Sequence, residues 1–191
     1  MKIGLFFGSF NPVHTGHLLI ANYFSQFASF NKIWFVITPQ NPFKANDELL
    51  DENQRLTLLK LAIDGDTRFE ASNIEFKLER PSYTVNTLKY LRSQYPNDTF
   101  CPIIGGDNLQ SFHLWKEYKD ILENHEVYVY RRAGFHENPI LANHPRIKIF
   151  EVPLLNISST YIREMIQAGK SIKYLVPEEV ESYITQHLLY Q

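Results

Sequence analysis

The sequence predicts a doubly wound α/β fold, a mainly parallel sheet with helices on both faces. Apolar and helical segments alternate along the chain. The apolar runs are near-continuous, as in Ile33-Trp34-Phe35-Val36-Ile37, and the first run ends in a glycine turn that opens directly into a helix. Alternation of this kind marks βαβ units, whose strands are covered on both faces and so carry no polar side.

Each element has its own reason. Lys2–Phe7 is the first strand, and helical periodicity runs from about Thr15 to Phe27 before a second strand at Lys32–Thr38. Asp51 is a natural N-cap, because its carboxylate can accept from first-turn amides, for a helix reaching Ile63. Strands follow at Phe69–Ala71, Thr99–Ile104, Val127–Tyr130 and Ile147–Val152, with helical segments near Thr84–Tyr95 and Leu109–Leu122. Ser158 or Ser159 caps a helical segment over Ile157–Ala168 that Gly169 stops. A last helix starts at Pro177, suited to a first turn, and sets Val180, Tyr183, Ile184 and Leu188 on one face. Pro39–Leu50, with two prolines, reads as a mobile loop at the sheet's ligand edge.

Length and composition bound the function. A chain of 191 residues suits one domain, 1–191, large enough for a core without staples. With 44% hydrophobic and 21% charged residues it is neither disordered nor membrane-spanning. The N-terminal apolar run is too short for a bilayer and lacks a secretory layout, so a cytoplasmic location is expected. Cys101, the single cysteine, forms no internal disulfide, is expected to be a buried core thiol, and belongs to no zinc-spaced cluster, so no protein-held metal is predicted. A net charge of −2 lacks the basic excess that binding to long nucleic acids requires, while a few local donors can still hold a small anion.

Three segments carry chemistry. The turn Gly8-Ser9-Phe10-Asn11-Pro12-Val13-His14-Thr15-Gly16-His17 follows the first strand. Small residues let backbone approach a phosphate, and the free amides and dipole of a helix start attract it. His14 and His17, three apart, share one side of that turn, where a protonated or hydrogen-donating pair would stabilise charge on a phosphoryl group. Late in the chain Ile157-Ser158-Ser159-Thr160-Tyr161-Ile162-Arg163 opens another helix, with Arg163 four residues beyond Ser159 on the same face, a forked cation for phosphate oxygens. Between them Gly105-Gly106-Asp107 closes a strand, where Asp107 is placed to accept from ribose hydroxyls or to cap a helix.

With its H-x-G-H segment the chain resembles the nucleotidyltransferases of that motif, and the I-S-S-T-x-I-R segment is similar to the one by which that family grips the β- and γ-phosphates of ATP. The segments Pro81-Ser82-Tyr83-Thr84-Val85-Asn86-Thr87-Leu88 and Phe112-His113-Leu114-Trp115-Lys116-Glu117-Tyr118 look like bacterial nicotinate-nucleotide adenylyltransferases, in which they enclose the pyridine ring. The resemblance covers the chain from Lys2 nearly to its end. It implies ATP binding by Gly8, Ser9, Phe10, His14, His17, Gly105, Asp107, Ile157, Ser158, Ser159 and Arg163, with His14, His17 and Arg163 catalytic. It implies binding of nicotinate mononucleotide by Lys44, Tyr83, Thr84 and Trp115, and magnesium (Mg2+) carried with ATP. Many relatives have Pro-x-His-Lys where this chain reads Asn41-Pro42-Phe43-Lys44, so that histidine's role is lost while Lys44 remains. Arg131 and Arg132 end a strand on the ligand edge, and either can face the nucleotide. The implied reaction joins AMP from ATP to nicotinate mononucleotide, with pyrophosphate leaving. Nicotinamide mononucleotide or phosphopantetheine as acceptor, a cytidylyltransferase, and a non-catalytic nucleotide-binding module are the alternatives. Small-molecule partners, no nucleic acid and no membrane are expected, with room for a homo-oligomer.

Overall fold

The computed structural model describes residues 1–40, 49–131, 141, 143–153 and 155–191. Six strands, β1 (Lys2–Gly8), β2 (Lys32–Ile37), β3 (Phe69–Ser72), β4 (Thr99–Gly105), β5 (Val127–Arg131) and β6 (Ile147–Glu151), form one sheet in the order β3-β2-β1-β4-β5-β6. Every pairing is parallel. The order reverses between β1 and β4, and such a switch point opens a crevice at the carboxyl ends of the strands.

Alternate residues of each strand feed two cores. Ile33, Phe35 and Ile37 of β2 enter one apolar cluster, Trp34 and Val36 the other. The first cluster packs α1 (Thr15–Phe27), α2 (Glu52–Ala62), α6 (Ser159–Gln167) and α7 (Glu178–Gln186), through residues such as Phe24, Leu58, Ile162 and Ile184. The second packs α3 (Thr84–Gln94), α4 (Gly106–Ser111) and α5 (Tyr118–Asn124), through Leu88, Leu109 and Ile121. The doubly wound expectation therefore holds, and Cys101 is buried, its thiol pushed up to about 12 by burial.

Caps form where short polar side chains were expected. Asp51 accepts from the N–H groups of Asn53 and Gln54, and Gly169 turns the chain at φ +64 after α6. Three expectations are corrected. The segment Leu109–Leu122 is not one helix: after α4 come a 3-10 turn (Phe112–Leu114), an extended Trp115 and a left-handed Glu117 at φ 51. Phe112 and Ile121 are nine residues apart and would face opposite sides of a continuous helix, yet both are buried in the same cluster, so the chain must break between them. Pro177 is the N-cap of α7 rather than a first-turn residue. Leu188 is 65% exposed, because α7 ends at Gln186 and a left-handed turn at Leu188 passes its core position to Leu189.

Candidate active site

The switch point is built first by the β1–α1 loop. Phe10 sits at φ +46 with its ring buried against Phe6, Phe35 and His17, at centroid distances of 5.8, 5.6 and 5.0 Å. A side chain at position 8 would place its Cβ 2.9 Å from the Phe10 ring, so Gly8 makes room for that packing. His14 is the N-cap of α1, and its ring stacks on His17 at 3.7 Å. Its backbone N–H donates to His17 Nδ1 at 3.3 Å, which leaves Nε2 to carry the proton of a neutral His17 ring. His14 is only 5% exposed, and burial pulls its pKa from 6.5 to about 4. A neutral ring thus replaces the protonated option for His14, and its buried Nδ1 has no hydrogen-bond partner among the described residues.

The late motif lands on this same loop. Ser158 caps α6 by accepting from the Tyr161 N–H at 3.1 Å. Ser159 Oγ donates to the carbonyl of Pro12 and Arg163 to that of Asn11, both at 2.9 Å. Two segments about 150 residues apart are thereby joined, with the starts of α1 and α6 side by side. The hydroxyl proton of Ser159 is thus spent on the loop, which departs from its expected role as a phosphate donor. Ile157 packs against the adjacent core.

Beside the loop, between β1 and β4, lies a cavity of about 210 Å³ whose walls include Gly8, Gly105, Tyr83, Thr84, Trp115 and Lys116. Trp115 leans on Phe112 at 5.0 Å, and Tyr83 and Thr84 stand at the start of α3. Asp107 lies in the first turn of α4, whose N-cap is Gly105, so the capping role expected for Asp107 is not realised. A Cβ at position 105 would meet Asp107 Oδ1 at 2.3 Å, so a side chain there would displace the carboxylate that turns back over the glycine. His14, His17, Ser159 and Arg163 are not among the residues that line this cavity. Arg131 meets Glu151 at 3.2 Å at the end of β5. Lys44 and Arg132 lie outside the described residues, as does most of the Pro39–Leu50 loop.

Two functional supports escaped sequence reasoning. Arg55, 1% exposed, donates through Nη1 to the carbonyls of Ser9 at 2.6 Å and Thr38 at 3.0 Å, and through Nε to Leu50 at 2.9 Å. It ties the β1–α1 loop to the end of β2. Glu75 is buried in the cavity wall, where its Oε1 accepts from the Thr87 hydroxyl at 2.7 Å and burial raises its carboxyl pKa. Their only sequence signal was a charge placed among core-facing residues, which also fits a solvated helix face.

Comparison with known proteins agrees with this architecture. The family model for cytidylyltransferase-like proteins matches residues 5–165. A "Probable nicotinate-nucleotide adenylyltransferase" of Flavobacterium johnsoniae is 48% identical, with all of both chains covered. One of the same description from Cytophaga hutchinsonii is 47% identical over all of this chain and 98% of that one. The fold matches the Plasmodium falciparum nicotinic acid mononucleotide adenylyltransferase complexed with NaAD, at a TM-score of 0.82 and 23% identity, covering 99% and 97% of the two chains. On its full-length likeness to these relatives and the family match, the chain belongs to the nicotinate-nucleotide adenylyltransferases of the cytidylyltransferase-like family.

Proposed function

We propose that this chain transfers the adenylyl group of ATP to nicotinate mononucleotide, giving nicotinate adenine dinucleotide and pyrophosphate on the route to NAD. The observation that carries this reading is the docking of the α6 start on the β1–α1 loop through Ser159 and Arg163, next to the stacked histidines. Two helix N-termini side by side suit a triphosphate.

The nucleotide's phosphate attacks the α-phosphorus of ATP in line, one P–O bond forming as the bond to pyrophosphate breaks. A phosphate is ionised at neutral pH and needs no general base, so positioning and charge stabilisation supply the rate. His17 donates from Nε2 to the reacting phosphate, and neutral His14 orients it by stacking. Arg163 and the first-turn amides of α6 hold the leaving pyrophosphate, while Asp107 and Gly105 serve the nucleoside. The pyridine ring enters the cavity against Trp115, with the start of α3 at Tyr83 and Thr84 offering amides to its substituent.

Among the described residues no group of three His, Cys, Asp or Glu side chains could hold a metal ion. Hard Mg2+ favours phosphate oxygens and its own waters, so magnesium enters this reading as part of the ATP substrate. A cytoplasmic setting suits these substrates, and no helix among the described residues is long and apolar enough to cross a membrane.

The test is a pyrophosphate-release assay with ATP and magnesium against nicotinate mononucleotide, nicotinamide mononucleotide and phosphopantetheine in parallel. The expected result is turnover with a kcat/KM highest for the nicotinate nucleotide. Preference for either other acceptor would reassign the substrate, and no turnover with any would favour a binding module.

A further inference from the structure

The walls of the cavity hold two formally charged side chains among the described residues, Glu75 and Lys116. They stand in opposite circumstances. Glu75 is buried beneath the start of α3, bonded to Thr87, and burial favours its neutral form. Lys116 is exposed at the rim, with Nζ 4.7 Å from the centre of the Tyr83 ring. The neighbouring Glu117 carboxylate is engaged by Lys89 on α3, and Lys89 also faces Asp120 at 3.9 Å. The local acids on that side are thus drawn towards Lys89, while the Lys116 ammonium lies over an aromatic face at the cavity mouth.

An exposed aromatic face is a weak resting place for a cation. A carboxylate delivered into the cavity is a stronger partner, and a lysine stem has the rotamers to reach it. We propose that Lys116 is a specificity-determining residue, whose ammonium leaves the Tyr83 ring to pair with the 3-carboxylate of the bound pyridine. This rests on the nicotinate reading above and supplies its side-chain basis.

The consequence is discrimination by charge. A carboxylate entering beside the Trp115 indole and the Tyr83 ring loses water, and the amides at the start of α3 offset that loss less fully than the same amides joined by a cation. A carboxamide of the same shape loses less and, being neutral, gains much less from the ammonium than a carboxylate does. Burial raises the Glu75 carboxyl pKa, which lessens the opposition of that wall to an anion, and Lys116 is the cationic side chain among the described residues that line the cavity.

The test compares wild type, Lys116→Gln and Lys116→Arg, using nicotinate and nicotinamide mononucleotides as probes. KM and kcat are measured for each, with calorimetric binding of each nucleotide to the unreacted protein. Hydrogen bonds to charged groups lead us to expect a loss of about 10- to 100-fold in affinity and kcat/KM for the nicotinate nucleotide in Lys116→Gln. The loss should lie in KM, with the nicotinamide nucleotide and ATP changed by no more than about twofold and substantial recovery in Lys116→Arg. Lys116 is exposed, so melting temperature should stay unchanged. A parallel fall for both pyridine nucleotides, or an unchanged ratio, overturns the proposal while leaving the nicotinate reading intact. Wild type that neither binds nor uses the nicotinate nucleotide overturns both.

Discussion

The proposed chemistry turns on His17. Its ring packs against Phe10 and His14, and the accepting Nδ1 directs its proton to Nε2. Removing one preorganised donor slows turnover by roughly 100- to 1000-fold with little change in fold. His17→Ala should show that loss in kcat at an unaltered melting temperature, and near-normal kcat would refute its role. His14 makes a separate prediction about pH. Above pH 6.5 its ring is neutral in both folded and unfolded chains. Below that the unfolded chain takes up a proton that the folded chain refuses until about pH 4, so stability falls as pH falls through this window. The expected loss at pH 5 relative to pH 7.5 is about 2 kcal/mol. His125, buried with Nδ1 2.8 Å from the Phe100 carbonyl, adds a slope of the same sign. Urea titrations should show the slope reduced, though not abolished, in His14→Asn. An unchanged slope would mean that the buried ring accepts a proton. The paired histidines stood out in the sequence because a short motif set them at a strand-to-helix junction. The proton each carries was not legible, because it depends on burial by Phe10 and the loop.

At the scale of elements, the loops around the site are set by a buried cation and by a broken helix. Arg55 serves three carbonyls from α2, joining the ends of β1 and β2. Leaving buried acceptors unpaired costs about 1–3 kcal/mol each. Arg55→Leu should therefore lower stability by about 3 kcal/mol or more and reduce turnover through loop displacement. Lysine should not restore it, since an ammonium lacks the planar fork that spans these carbonyls. A urea-unfolding change under about 1 kcal/mol for Arg55→Leu would contradict the brace. The break after α4 brings Trp115 to the cavity. Stacking on a flat heteroaromatic contributes about 1–3 kcal/mol, so Trp115→Ala should raise KM for the nicotinate nucleotide about 5- to 150-fold. The KM for ATP should hold, and equal losses on both sides would remove the stacking role. Sequence periodicity suggested one helix over this stretch because it cannot see that Phe112 and Ile121 share one cluster.

Across the molecule, the architecture was legible because strands buried on both faces leave unbroken apolar runs, and each of the six expected strands forms within a residue or two of its predicted ends. Long-range docking was legible only as an inference from two motifs, since nothing local in Ser159 or Arg163 points to Asn11 and Pro12. Glu75 and Lys116 were invisible as a pair because their meaning lies in the cavity they share. Every functional reading depends on the starts of α1 and α6 forming one phosphate cradle. The most direct measurement is a crystal structure with a non-hydrolysable ATP analogue bound. It should show triphosphate oxygens about 2.7–3.2 Å from the His17 ring, the first-turn amides of α6 and the Arg163 guanidinium in a single complex. A triphosphate bound elsewhere, or one that touches only one of the two helix starts, would contradict the account.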